Sequence, residues 1–392
     1  MIAAWLKFLE RFLGFDLRSI ALLRLGLAFL LLVELFSHWG NARPISQALS
    51  NTGWNSWSLH GLSNGGVWQL GCFAIATLAT LLMLIGYRTR WATITSWVLL
   101  ISLHNYHSEA TSQADTMLQA ILFWALFLPL GSRYSVDQAL NTSPRPQPQK
   151  LLTGANLGIV LQLGLMVMAL SQAGSLHSWI ILGVTSLVLI PSFVWNHWTA
   201  TAFTPKQLGL KIYYDADCGF CKKVVHLLRT FLVLPRRVPL QTAQSDPVIH
   251  TAMETHNSWV IVDWRGQHHY KWQGIAYVVS LSPIVWPLAS LLRWSPLMTV
   301  GTRFYETIAN NRRFAGNFTK PFKFQTFSIQ SSGSLNLIAL VIVILTVGAY
   351  AHHVTGHTGA GQHPVIALIH WATTPTQWLS PLLQPVWIGL ET

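Results

Sequence analysis

LKIYYDADCGFC, residues 210–221, decides how this chain is read. It runs as a strand into a two-cysteine turn. The chain holds three cysteines in 392 residues, and two of them stand three apart here. A cysteine at a helix N-terminus faces unpaired backbone N–H groups and the positive end of the helix dipole. Both stabilise the thiolate, which is the reactive form. With a helix starting at Gly219, Cys218 takes that place. Cys221 then lies one turn later on the same face, where it resolves a mixed disulfide. Lys222 and Lys223 favour the thiolate, and Asp215 and Asp217 oppose it. A zinc knuckle needs two more ligands. The segment has no third cysteine, and His226, His250, His256, His268 and His269 show no ligand spacing. Redox exchange, metal binding and a structural pair are the three readings, and the strand before the turn favours the first.

The surroundings of this motif are those of a membrane protein. Half the chain is hydrophobic (51%) and 10% is charged, against about 25% in a soluble domain. Mean hydropathy is +0.40. The 19 Trp suit membrane–water interfaces. MIAAWLKFLERF is amphipathic and lacks a small-residue cleavage site, so no cleaved leader is expected. Apolar runs recur at 19–38, 67–85, 91–106, 117–130, 151–170, 179–195 and 335–350, and PRPQPQK (144–150) is a proline-rich loop. From about Thr204 the pattern becomes α/β: KIYYD, VVHLLRTFL and SWVIVD (258–263) alternate until about Lys323. The segment 364–390 is apolar but broken by Pro375, Pro381 and Pro385, and is expected to lie on the surface, with an eighth short span as the alternative.

The net charge of +12 follows the loops and gives no nucleic-acid patch, so no nucleic-acid partner is expected. With the N-terminus inside, Lys7, Arg11 and Arg18, then Arg88 and Arg90, then Arg133, Arg145 and Lys150 fall on the inner side. So do Lys206, Lys211, Arg312, Arg313, Lys320 and Lys323. The outer side receives only Arg43. The positive-inside rule therefore predicts a polytopic α-helical membrane bundle of about seven spans with an inserted α/β domain on the cytoplasmic side and the C-terminus outside. The predicted division is 1–203 for six spans, 204–324 for the α/β insert, and 325–392 for a last span with a histidine-rich interfacial tail.

YYDADCGFCKKVVHLLRTFL, with PLQTAQSDP and SWVIVD after it, resembles the DCC family of thiol-disulfide oxidoreductases over about 209–315. The resemblance implies a thioredoxin-like fold with a CxxC active site. It makes Cys218, Cys221, Asp217 and Asp215 the candidate catalytic residues. Ala216 replaces the usual glycine, and METHNSWV supplies no counterpart of the proline that thioredoxins place opposite the cysteines.

ADTMLQAILFWALFLPLGSRYSVDQAL (114–140), LHNYH (103–107) and the first run with Arg24 and Glu34 resemble the HTTM membrane domain. That domain is related to vitamin K-dependent γ-carboxylases, and the resemblance covers roughly 15–200. Gln172 falls near the position of the carboxylase lysine base, and no lysine occurs in any apolar run. Glutamine is no general base, so carboxylation is not expected. A quinone or a lipid is the ligand class that the kinship suggests.

Arg24 is close enough to the inner end of its run to snorkel. Glu34, His38, His104, Asn105, His107, Glu109 and Asp115 fall toward the outer ends. They read either as helix-end residues or, with Arg24, as the lining of a cofactor cavity. His352, His353, His357, His363 and His370 are weak metal candidates in a Gly-rich stretch, better read as solvated. Cys72 sits mid-run and reads as buried and inert. The expectation is a membrane-anchored thiol-disulfide oxidoreductase of a bacterial inner membrane, exchanging with a thiol-containing protein or small thiol. The alternatives are a transport or peptide-maturation component that uses the insert for docking, or a metal-handling protein.

Overall fold

The computed structural model describes residues 10–39, 58–63, 66–106, 112–143, 147–171, 174–202, 205–235, 238–326 and 333–358. Contacts divide the chain into two compact units. The first is Met1–Arg133, Pro146–Ser192 and Ile329–Thr392; the second is Tyr134–Arg145 and Phe193–Ser328.

Long apolar runs without proline become helices in the first unit. These are α1 (Leu17–Trp39), α2 (Gly66–Ile85), α3 (Thr89–Tyr106), α4 (Gln113–Ala125), α5 (Gly154–Leu170) and α6 (Leu176–Ser186). A short antiparallel pair, β1 (Phe15–Asp16) with β2 (Lys150–Leu151), ties the start of α1 to the segment before α5. Ser112 starts α4 by a reciprocal cap with Asp115. The sixth apolar run breaks after Ile190, because Pro191 has no N–H and disfavours a helical residue before it. The Ile190 carbonyl freed there accepts the Ser19 hydroxyl at 2.7 Å. On α5, a Cβ at Gly158 would run into the Trp124 ring of α4, so this glycine permits the close approach of the two helices.

The expected seven spans are not supported. Among the described residues two helices, α1 and α2, are long and apolar enough to cross a membrane, or three if the broken pair Leu176–Leu189 and Ser192–Ala202 counts as one span. The reason is length and composition. With 13 residues α4 extends about 20 Å and with 17 residues α5 about 26 Å, short of a hydrocarbon core about 30 Å thick. α3 is longer but carries Thr, Ser, His and Asn along its 18 residues. The last helix, Gly333–Thr358, is apolar over Gly333–Val347.

The second unit is built on a four-stranded mixed sheet. β3 (Lys211–Tyr214) lies between β4 (Leu240–Thr242), parallel to it, and β5 (Val260–Val262), antiparallel to it. β6 (His268–His269) adds antiparallel to β5. The crossover from β3 to β4 is α7 (Gly219–Phe231). Cys221 and Val225 of α7 are buried at helical spacing, with Leu228 beside them, against Ile212, Tyr214 and Ile261 of the sheet. Each such buried aliphatic side chain contributes roughly 1.5–3 kcal/mol. The opposite face packs Tyr213 and Val260 on α8 (Pro247–His256) through Ile249 and Met253. Residues 140–142 also join this unit: the Gln325 N–H donates to the Leu140 carbonyl at 3.1 Å, and the Thr142 N–H to the Gln325 carbonyl at 3.0 Å.

Candidate functional site

A strand that ends at Tyr214 and a helix that begins at Gly219 leave four residues to turn the chain, and the redox pair closes that turn. Cys218 is the N-cap of α7, and its sulfur accepts the Cys221 N–H at 3.2 Å. That bond fills one of the open N–H groups of the first helical turn. The two cysteines form a disulfide, with their Cα atoms 5.2 Å apart. Cys218 is partly exposed, whereas Cys221 is buried at 2%. An incoming thiol therefore meets Cys218 first, and Cys221 is screened by the sheet.

The two aspartates differ in what they do. The Asp215 Oδ1 accepts the Asp217 N–H at 3.1 Å and the Gln244 Nε2 at 2.8 Å, while its Oδ2 pairs with Arg312 at 3.3 Å. Gln244 also accepts the Ala216 N–H at 3.1 Å. Arg312 donates onward to the Asn257 Oδ1 at 2.6 Å. Asp215 is thus the knot of a polar net that fixes the 215–218 turn, and its charge is balanced by Arg312. Asp217 is exposed and joins the turn through its backbone. Sequence reasoning missed Gln244 and Arg312. The first lay in view within QTAQSDP; the second was counted only as a loop charge.

Lys222 and Lys223 have partners of their own. The Lys222 ammonium lies 5.2 Å from the centre of the Phe324 ring, and Lys223 donates to the Thr319 carbonyl at 2.7 Å. Burial lowers the Lys223 pKa. The support expected from these lysines for a thiolate is therefore spent in part on the 319–324 segment. Further along α7, burial together with Arg229 and Lys222 lowers the His226 pKa to about 4, against the opposing hydrogen bond to the Ala139 carbonyl. His226 is thus held neutral, edge-on to Phe324 at 5.7 Å.

Residues 212–316 match the family model of DCC1-like thiol-disulfide oxidoreductases. No curated protein and no solved structure gives a match. The DCC1-like domain so defined contains all four candidate residues of the turn, with Gln244, Asn257 and Arg312.

In the first unit the candidate residues separate into two groups. Arg24 does not snorkel. It is fully buried, and its Nη1 donates to the carbonyls of Leu130 and Arg133 at 3.0 and 3.2 Å. It thereby satisfies the turn after α4. Glu34, His104 and Asp115 come from α1, α3 and α4 and are all buried, with one ligand atom of each within 4.8 Å of the others. The His104 Nε2 is 3.3 Å from the Glu34 Oε1, and its Nδ1 faces the Gln119 amide. His38, one turn after Glu34, places Nδ1 at 3.3 Å from the same oxygen. Asp115 keeps its capping role, its Oδ2 accepting the Ser112 N–H at 2.6 Å. Asn105 follows His104 on α3 and is partly buried. His107, Glu109 and Gln172 lie outside the described residues. His352, His353 and His357 fall on the final turns of Gly333–Thr358, where the side chains lie outside the description, and His363 and His370 lie beyond it.

Proposed function

We propose that the DCC1-like domain exchanges dithiol for disulfide at Cys218 and Cys221, and that the first unit anchors it to a bacterial inner membrane. The observation that carries the redox reading is a disulfide on the first turn of α7 with one partly exposed and one buried cysteine. The sheet supports it too. A parallel βαβ unit followed by an antiparallel hairpin is the arrangement expected of a thioredoxin-like fold.

In the reducing direction the Cys218 thiolate attacks one sulfur of a substrate disulfide. The substrate S–S bond breaks, a mixed disulfide forms, and the departing thiolate takes a proton from water. The Cys221 thiolate then attacks the Cys218 sulfur and releases the second substrate thiol. Two electrons pass from the domain to the substrate, and the intramolecular disulfide remains. A dithiol protein or two small thiols restore the reduced pair by the reverse steps. The N–H at the start of α7 stabilises the Cys218 thiolate whenever it forms.

The anchor reading rests on α1, on α2, and on the apolar side chains that α2 leaves exposed, among them Val67, Leu70, Ile75, Leu78 and Leu81. Lipid is the partner such a face fits. Within this reading the further apolar helices complete an HTTM-like bundle, the N-terminus and the redox domain face the cytoplasm, and the C-terminus is outside. A quinone partner has kinship with carboxylases as its support, and the exchange chemistry does not require one.

Two experiments test these proposals. Cys221→Ser is expected to trap mixed disulfides that depend on Cys218; recovery of no such species overturns the nucleophile assignment. In spheroplasts, a membrane-permeant maleimide is expected to label the pair after reduction and an impermeant one is not. Labelling by the impermeant reagent puts the domain outside and inverts the topology.

A further inference from the structure

Three helices of the first unit each send one ionisable side chain to the same buried point. Glu34 of α1, His104 of α3 and Asp115 of α4 are 3%, 3% and 5% exposed. Their neighbours make this an apolar setting: Leu35 and Leu103, adjacent in sequence to Glu34 and His104, belong to one core cluster with Ala76 and Leu99. Two carboxylates in such surroundings carry a large desolvation cost unless positive charge meets them. Protonated imidazole at His104, His38 or His177 meets Glu34. A divalent cation balances both carboxylates.

We propose that Glu34, His104 and Asp115 bind a divalent transition-metal cation. The donor set is one imidazole nitrogen and two carboxylate oxygens, which suits Zn²⁺, Mn²⁺ or Fe²⁺. The spacing agrees. Tetrahedral ligands at about 2.0–2.2 Å from a common ion stand roughly 3.3–3.6 Å apart; the His104 Nε2 and Glu34 Oε1 are 3.3 Å apart, and all three ligand atoms lie within 4.8 Å of one another. Small side-chain rotations close that difference. His104 directs its Nε2 toward Glu34 and engages the Gln119 amide through Nδ1. The Gln119 Nε2 faces that Nδ1, so ligation through Nε2 requires the amide turned end for end, its Oε1 accepting the Nδ1–H as the partner of a metal-bound histidine does. Asp115 spends one oxygen on the Ser112 N–H, and a carboxylate has a second. His38 lies at 3.3 Å from the Glu34 Oε1 and is the nearest candidate for a fourth ligand. His177 also interacts electrostatically with Glu34, and its buried Nε2 has no hydrogen-bond partner. The helix-cap role of Asp115 accounts for Ser112; it does not account for Glu34 and His104 converging on the same point.

The test uses the full-length chain, purified in detergent with Cys218 and Cys221 changed to serine and His352, His353 and His357 changed to asparagine. These changes remove the thiol pair and the three candidate tail histidines and leave the redox reading out of the outcome. After chelation and dialysis against Zn²⁺ or Mn²⁺, about one metal per chain is expected by elemental analysis. Glu34→Gln and His104→Ala are expected to lose it, and Gln119→Ala to weaken binding about 10–100-fold. Co²⁺ loaded into the parent with its triad intact is expected to give visible d–d absorption, a readout that does not depend on the Glu34 or His104 variants folding. Retention of metal in folded Glu34→Gln and His104→Ala overturns the assignment. So does the absence of both stoichiometric metal and a Co²⁺ spectrum in the parent protein.

Discussion

His226 gives the DCC1-like domain a built-in acid sensitivity whose size follows from its surroundings. In the unfolded chain an imidazole titrates near 6.5, and in the folded domain His226 titrates at about 4. The unfolded state therefore binds a proton that the folded state refuses, and acid favours opening. The stabilisation is fully present above pH 6.5 and is lost progressively as pH falls toward 4. Each pH unit in that window is worth about 1.4 kcal/mol. His226 is only partly buried, so solvent screening makes these ceilings: at most about 2 kcal/mol at pH 5 and about 3 kcal/mol once pH reaches 4. The physical causes are burial first and then the charges of Arg229 and Lys222, against which the Ala139 carbonyl works. Hydrogen exchange of the α7 amides, corrected for the intrinsic rate, reads this opening directly. The comparison is His226→Gln, which cannot take the proton. The difference in opening free energy between wild type and variant is expected to shift by up to about 2 kcal/mol from pH 7 to pH 5, with wild type losing more. Parallel pH curves for the two proteins would refute the reasoning, whatever their absolute offset.

Two further outcomes are expected. Arg312→Met removes the charge partner of Asp215 and loosens the 215–218 turn by about 1 kcal/mol, the upper end for a partly exposed pair; exchange at the amides of 216–218 should rise roughly fivefold, and unchanged protection would show that Gln244 alone holds the turn. Gly158→Ala gains about 1 kcal/mol in helix propensity but drives a methyl into the Trp124 ring, where overpacking costs roughly 1–3 kcal/mol. A lower melting temperature in detergent is expected, and a higher one would mean that α4 and α5 do not approach this closely.

Local features were legible in the sequence, and long-range ones were not. KIYY, the CGFC turn and VVHLLRTF announce β3, the cap and α7 because alternation, capping chemistry and helical spacing are written within a dozen residues. The apolar runs likewise become helices. Their number as membrane spans was overread, because hydrophobicity marks a helix buried among other helices as readily as one facing lipid. The break at Pro191 and the polar content of α3 are the signals that argued for caution. The polar net around Asp215 joins residues 29 and 97 positions away, and no local pattern encodes such pairings. The same holds for Glu34 and His104, 70 residues apart. They were recognised as costly groups at helix ends, but only the packing of α1, α3 and α4 brings them to one point.

The most direct test of the redox account is titration of the purified chain through glutathione buffers of graded ratio, with acid quenching, maleimide labelling and mass spectrometry of each cysteine. The account predicts that Cys218 and Cys221 pass together between disulfide and dithiol, that partly reduced samples carry glutathione on Cys218, and that the buried Cys72 stays outside the exchange. A pair that does not respond across the series, or glutathione carried by Cys221 instead of Cys218, would contradict it.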